Sequence, residues 1–162
     1  MVLKLCPEHL QFIRSHAEST YPDECCGLLL GKLSQDSKTV VEVMATENAW
    51  NPETAESFPT IEPRSELGFT KRSHYTIAPE IMLKAQTEAR DRQLAIIGIY
   101  HSHPDHPATP SEFDRVYAWQ QYSYIIVSVQ QGKACDFNSW SLDDDHQFQL
   151  EEMNVEPTQL KT

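Results

Sequence analysis

The stretch that most constrains this chain is Gly98-Ile99-Tyr100-His101-Ser102-His103-Pro104, followed closely by Thr109-Pro110-Ser111-Glu112-Phe113-Asp114. The apolar run from Leu94 to Tyr100 reads as a buried strand that continues to His103. Side chains alternate faces along a strand, so His101 and His103 point the same way. Pro104 has no N–H to donate and is expected to end regular pairing. A short proline-rich loop then leads into a helix. Two imidazoles and a nearby carboxylate make a three-ligand zinc site with the fourth position open, which is the pattern of a catalytic rather than a structural centre.

The second hexapeptide supplies the carboxylate. Thr109 suits the N-cap, Pro110 the first helical position, and Glu112 the returning partner of a capping box. On that assignment Ser111 and Asp114 have no capping duty. They lie three apart, on one face near the start of the helix. Asp114 becomes the third ligand, and His106 in the loop competes with it as a third imidazole. A water at the fourth position would be acidified toward a pKa of about 7. Ser111 is placed to donate a hydrogen bond to the oxyanion formed when water adds to a carbonyl. The general base is missing from this stretch. Glu24, at the mouth of the apolar run Cys25–Leu30, is the candidate, although a lone glutamate there is more often a solvated strand end.

A chain of 162 residues fits one domain. Such a domain buries roughly 70% of its unfolded surface, so it needs no disulfide staples. The net charge of −11 argues against nucleic acid or an anionic membrane as the main partner. None of the four cysteines stands in a C-x-x-C pair, and Cys25 and Cys26 read as buried thiols. No stretch looks like a signal peptide or approaches the roughly 20 apolar residues of a membrane helix. The expected compartment is a reducing cytoplasm.

Taken in order, residues 7–20 read as a helix with Leu10, Phe12, Ile13 and Ala17 on its apolar stripe. Residues 24–31 read as a central strand in which Gly27 marks a close backbone approach. A valine-rich strand over 39–45 pairs with it. Residues 47–74 carry three prolines and no sustained period; they are either a mobile flap or a passive surface insertion. A short strand is expected over 75–78, a helix over 79–93, and another helix from Ser111 to about Gln120. Strands follow over 123–129, 134–142 and 146–150. The polar residues 151–162 are expected to form a disordered tail.

Together these residues resemble the JAMM (MPN-plus) metalloprotease family, whose motif is an upstream glutamate, then H-x-H-P, then S-x-x-D. Here it reads Glu24, His101-Ser102-His103-Pro104, Ser111 and Asp114, and the likeness extends over 1–150 as a single domain. The resemblance implies an α/β fold, a cytidine-deaminase-like curved mixed β-sheet flanked by helices. It implies a Zn2+ hydrolase that cuts peptide or isopeptide bonds at the C-terminal tail of a ubiquitin-like protein. Glu24 would be the base, His101, His103 and Asp114 the ligands, and Ser111 the support of the intermediate. Eukaryotic members carry a second insertion after the S-x-x-D helix. Here only residues 115–122 separate Asp114 from the next strand, as in compact prokaryotic members. Some of those act on sulfur-carrier proteins, and segment 47–74 falls where the family's first insertion would clamp a substrate tail. The alternative is a non-catalytic MPN-type scaffold, whose members lose one or more ligands. A zinc nucleoside deaminase would need a P-C-x-x-C, which the chain lacks.

Overall fold

The computed structural model describes residues 1–51 and 71–157. Most of the segment read as a flap or insertion therefore lies outside the described residues. The elements in chain order are β1 (Val2–Leu5), α1 (Pro7–Thr20), β2 (Cys26–Leu33), β3 (Ser37–Thr46), α2 (Pro79–Asp91), β4 (Ala95–Pro104), α3 (Glu112–Val116), β5 (Ser123–Gln130), β6 (Lys133–Leu142) and β7 (Phe148–Val155). The strands make one mixed sheet in the order β1-β3-β2-β4-β5-β6-β7, and β1 pairs in parallel with both β3 and β7. Strand β4 is central: it runs antiparallel to β2 and parallel to β5.

Burial on both faces of β2, β4 and β5 explains why their sequences are near-continuous apolar runs. One core draws on Leu3, Leu29, Val40, Ile97, Tyr100 and Ile125, with Ile13 and Ala17 of α1 packed into it. The other draws on Leu28, Leu30, Ile99 and Tyr124, with Ala85 and Ala89 of α2 against them. A register shift at Leu29/Leu30 opposite β4 lets Ile97 and Tyr100 both face the first core although they are three residues apart. After the shift, strict alternation puts Ile99 in the second core. His101 and His103 continue that parity, so the histidines emerge on the face that α2 covers.

Gly27 has the close neighbour its position in a strand suggests. A Cβ there would overlap the Tyr100 ring, whose hydroxyl reaches Nδ1 of His16 at 2.7 Å. Several expectations need correction. Phe12 is off the α1 stripe and exposed, since it sits one residue from Ile13 and so about 100° around the helix. Residues 75–78 are not a strand; they form a loop held by Ala49 N–H donating to Thr76 O at 2.9 Å. Pro104 does not end the pairing. In a parallel pair it stays in register with Val129, and the chain turns at Asp105, whose φ is 56°. The third helix stops at Val116, well short of Gln120. The tail does not begin at Glu151. Strand β7 continues to Val155 because Glu152–Val155 pair with Val2–Leu5, a short strand that its proximity to Pro7 concealed.

The Gly27 packing generates a test. Gly27→Ala forces the Tyr100 ring aside and is expected to destabilise the fold by about 1–3 kcal/mol in urea unfolding, as overpacked cores do. Unchanged stability would show that the ring has room to move.

Candidate metal centre

Three elements converge on the site. The β4 strand carries His101 and His103, and Cys26 of β2 pairs with His101. The pairing continues one residue beyond β2: Ser102 N–H donates to Cys25 O at 3.2 Å, and Cys25 N–H donates to Ser102 Oγ at 2.8 Å. Glu24 and Cys26 share a face by the two-residue period, so Glu24 arrives beside His103. Glu24, His101 and His103 each offer a ligand atom, all within 4.8 Å of one another, and Glu24 is only 3% exposed. The third element is α3. Asp114 Oδ2 lies 3.2 Å from His101 Nε2 and 3.1 Å from His103 Nε2, which are themselves 3.2 Å apart.

The start of α3 overturns the expected capping. Ser111, not Thr109, is the N-cap, and Glu112 is the first helical residue. Asp114 N–H donates to Ser111 Oγ at 3.0 Å, and Ser111 N–H donates to Asp114 Oδ2 at 2.9 Å. Ser111 and Asp114 are therefore the capping box itself. The capping expected of Thr109 and Glu112 thus falls to the two residues expected to be free of it. The reciprocal bonds fix the Asp114 carboxylate, and the same Oδ2 faces the two imidazoles. A serine hydroxyl that accepts one hydrogen bond still has its proton to give. Glu112 instead pairs with Arg115. His106 is exposed and does not join the converging set; its carbonyl accepts from Ser128 Oγ at 2.6 Å.

The donor chemistry suits a cation. His103 Nδ1 faces Pro107 O at 2.8 Å, and a carbonyl only accepts, so the ring proton sits on Nδ1 and Nε2 presents a lone pair. Burial keeps His101 neutral by lowering its pKa, against the pull of Asp114. Burial also pulls His103 down, but Asp114 and the Pro107 carbonyl more than reverse this and its pKa rises. Burial acts to raise Asp114, and the two histidines overcome it, holding the carboxylate well below the usual range. His101 Nε2, His103 Nε2 and Asp114 Oδ2 converge on one small volume that favours positive charge. This fits a zinc ion held by two imidazoles and a carboxylate. Glu24 differs: burial, and then the charge of Asp114, push its carboxyl well above the usual range. One carboxylate is tuned to stay ionised and the other to hold a proton, although distance alone would allow either to reach a metal. Burial raises Cys25 to about 12 and Cys26 to about 11, so both stay thiols and neither is a ready ligand.

Two features of the site left no mark in the motif. Tyr75 stacks on His101, with ring centroids 4.5 Å apart and planes 24° from parallel. A cavity of about 460 Å³ lined by Glu24, His103, His106, Pro110 and Ser111 opens on one side, and an apolar one of about 250 Å³ lined by Tyr75, Met82, Phe113 and Tyr117 on the other. Tyr75 reads in the sequence as the start of a short strand, and nothing local marks the ring that it covers.

The capping box generates a contrast between two variants. Ser111→Ala is expected to cost about 1 kcal/mol of stability through loss of the cap, while the backbone N–H at 111 still holds Asp114. Asp114→Ala is expected to weaken zinc binding by more than the ~10–100-fold that supporting partners command, read by chelator competition. Equal zinc affinity in Asp114→Ala and the parent would remove Asp114 from the ligand set.

Known proteins share this arrangement of chain. Residues 7–143 match the model of prokaryotic homologs of the JAB domain. Over 123 residues the chain is 31% identical to a desampylase of Haloferax volcanii, covering 74% of this chain and 72% of that one. A solution structure of a protein from Desulfitobacterium hafniense superposes with a TM-score of 0.73 at 25% identity, covering 96% of this chain and 94% of that one. Another, from Salinibacter ruber, gives 0.66 at 32% identity, covering 94% and 91%. The chain belongs to the prokaryotic JAB-domain family, the compact prokaryotic branch of the JAMM/MPN fold.

Proposed function

We propose that this protein is a zinc-dependent peptidase or isopeptidase that hydrolyses a bond at the C-terminal tail of a ubiquitin-like or sulfur-carrier protein. The observation that carries the reading is the convergence of His101 Nε2, His103 Nε2 and Asp114 Oδ2 within 3.1–3.2 Å, beside a buried Glu24 of raised pKa. Zinc bound there supplies Lewis acidity and lowers the pKa of water. Glu24 takes the proton of the attacking water and returns it to the departing amine; a raised pKa brings it closer to both tasks at neutral pH. Ser111 Oγ–H donates to the oxyanion that forms on the scissile carbonyl. The pocket that Glu24 and Ser111 line is a groove rather than a closed chamber, which suits an extended peptide. A relative with the name desampylase supports a ubiquitin-like substrate. The four unpaired thiols support a reducing cytoplasm as the setting, and among the described residues no helix is long and apolar enough to cross a membrane.

The test is hydrolysis of the same genome's ubiquitin-like and sulfur-carrier proteins, each carrying a C-terminal extension or a conjugated lysine, followed by mass spectrometry. The zinc-loaded protein is expected to release the free tail, and Glu24→Gln to lose at least ~100-fold in kcat, the lower end of general-base contributions. Because the base must be deprotonated, the rate rises with pH through the Glu24 pKa. Burial lifts that pKa, so the acidic limb should lie above the ordinary glutamate value of about 4.3. Binding of the carriers without hydrolysis would favour the scaffold alternative. Hydrolysis undiminished in Glu24→Gln would remove Glu24 from its role.

A further inference from the structure

Asn48 stands just past β3, buried, and belongs to none of the motif positions. Its amide makes four hydrogen bonds. Nδ2 donates to Glu24 O at 3.0 Å and to His74 O at 3.0 Å. Oδ1 accepts from Trp50 N–H at 3.0 Å and from Thr76 N–H at 3.4 Å. Two carbonyls at one end and two N–H groups at the other admit one orientation of the amide and one residue type. Aspartate has no donor for the carbonyls, and serine is too short to span the gap.

The four partners have one thing in common. Glu24 is the proposed base. His74 and Thr76 flank Tyr75, whose ring lies on His101. Trp50 stacks on His74 with centroids 4.8 Å apart. Glu24 precedes β2 and so lacks a full ladder partner; its N–H donates to Lys71 O at 2.6 Å and its carbonyl accepts from Asn48. The main chain at Glu24 is therefore held on both sides by the two strands of chain that enter and leave segment 52–70. Tyr75 lies in a loop, so no strand fixes its ring. Asn48 does so through the residues on either side.

We propose that Asn48 is a positioning residue. Through one buried amide it holds the main chain at Glu24 and, on both sides of Tyr75, at His74 and Thr76, and so sets the Glu24 carboxylate and the Tyr75 ring relative to the histidines. This rests on the hydrolase reading for its kinetic consequence but not for its geometry. A proton carrier displaced by a fraction of an ångström loses rate without losing substrate affinity, and a metal ligand whose packing partner shifts changes its coordination.

Asn48→Asp keeps the size and both accepting bonds while setting an oxygen against the two carbonyls. Asn48→Ala, whose space a water can fill, serves as a second variant. With substrate at hand, both are expected to lower kcat at least ~10-fold with KM within about twofold and with zinc content unchanged. A drop in thermal stability with kcat retained would make Asn48 merely structural and overturn the proposal. The second readout needs no substrate. Cobalt(II) is substituted into the parent and the variants, and the visible absorption of the centre is compared. Altered band positions in folded, fully loaded variants uphold the positioning role even if no hydrolysis is found in the parent. Superimposable spectra together with unchanged kcat, or superimposable spectra in a protein without hydrolysis, overturn it.

Discussion

Everything at the site depends on the pairing of Cys25 with Ser102. Two hydrogen bonds there carry the β2–β4 register one residue past the end of β2. They fix which side Glu24 faces. A slip of one residue would send Glu24 to the opposite face of the sheet from His101 and His103. The register is guarded from both sides. Gly27 tolerates the Tyr100 ring only in this alignment, and Gly98 lies where a Cβ would crowd the Ser123 backbone. The apolar residues of β2 and β4 are divided between two cores, so a shifted strand would exchange the two sets and disrupt the packing of both. The packing that stabilises the fold thus also determines the geometry of the candidate site.

The second dependence is the capping box. A five-residue helix has little propensity of its own. Ser111 and Asp114 satisfy each other's backbone N–H, and the carboxylate held in this way is the one presented to the imidazoles. Stability and chemistry share atoms here. The same economy appears in the contrast between the two carboxyls. Asp114 sits among histidines and stays ionised; Glu24 is buried, faces the charge of Asp114 and resists ionisation. Environment alone gives two like groups opposite protonation preferences.

The convergence of the candidate side chains was legible in the sequence because it obeys short-range rules. The two-residue period placed His101 and His103 together, and the three-residue helical spacing placed Ser111 with Asp114. The expectation about capping was wrong in its premise, since Ser111 and Asp114 are themselves the capping box while Asp114 Oδ2 also faces the two imidazoles. What escaped were long-range facts. The partnership of β1 with β7 joins the two ends of the described chain, and no local pattern in Glu152–Val155 announces a partner at Val2–Leu5. Asn48 was invisible for the same reason: its four partners are separated in sequence by up to 28 residues, and an asparagine after a strand reads as a turn. The loop at Tyr75 looked like a strand because aromatic and β-branched residues favour both extended pairing and extended packing against a ring.

The central claim is that His101, His103 and Asp114 hold one zinc ion with a position left open. Anomalous diffraction at the zinc edge from zinc-loaded crystals tests it most directly. The account predicts one peak among His101 Nε2, His103 Nε2 and Asp114 Oδ2, with zinc–nitrogen distances of about 2.0–2.1 Å, a solvent ligand in the fourth place and Glu24 outside the coordination sphere within reach of that solvent. A peak elsewhere, or one with Glu24 occupying the fourth place and no solvent ligand, would contradict it.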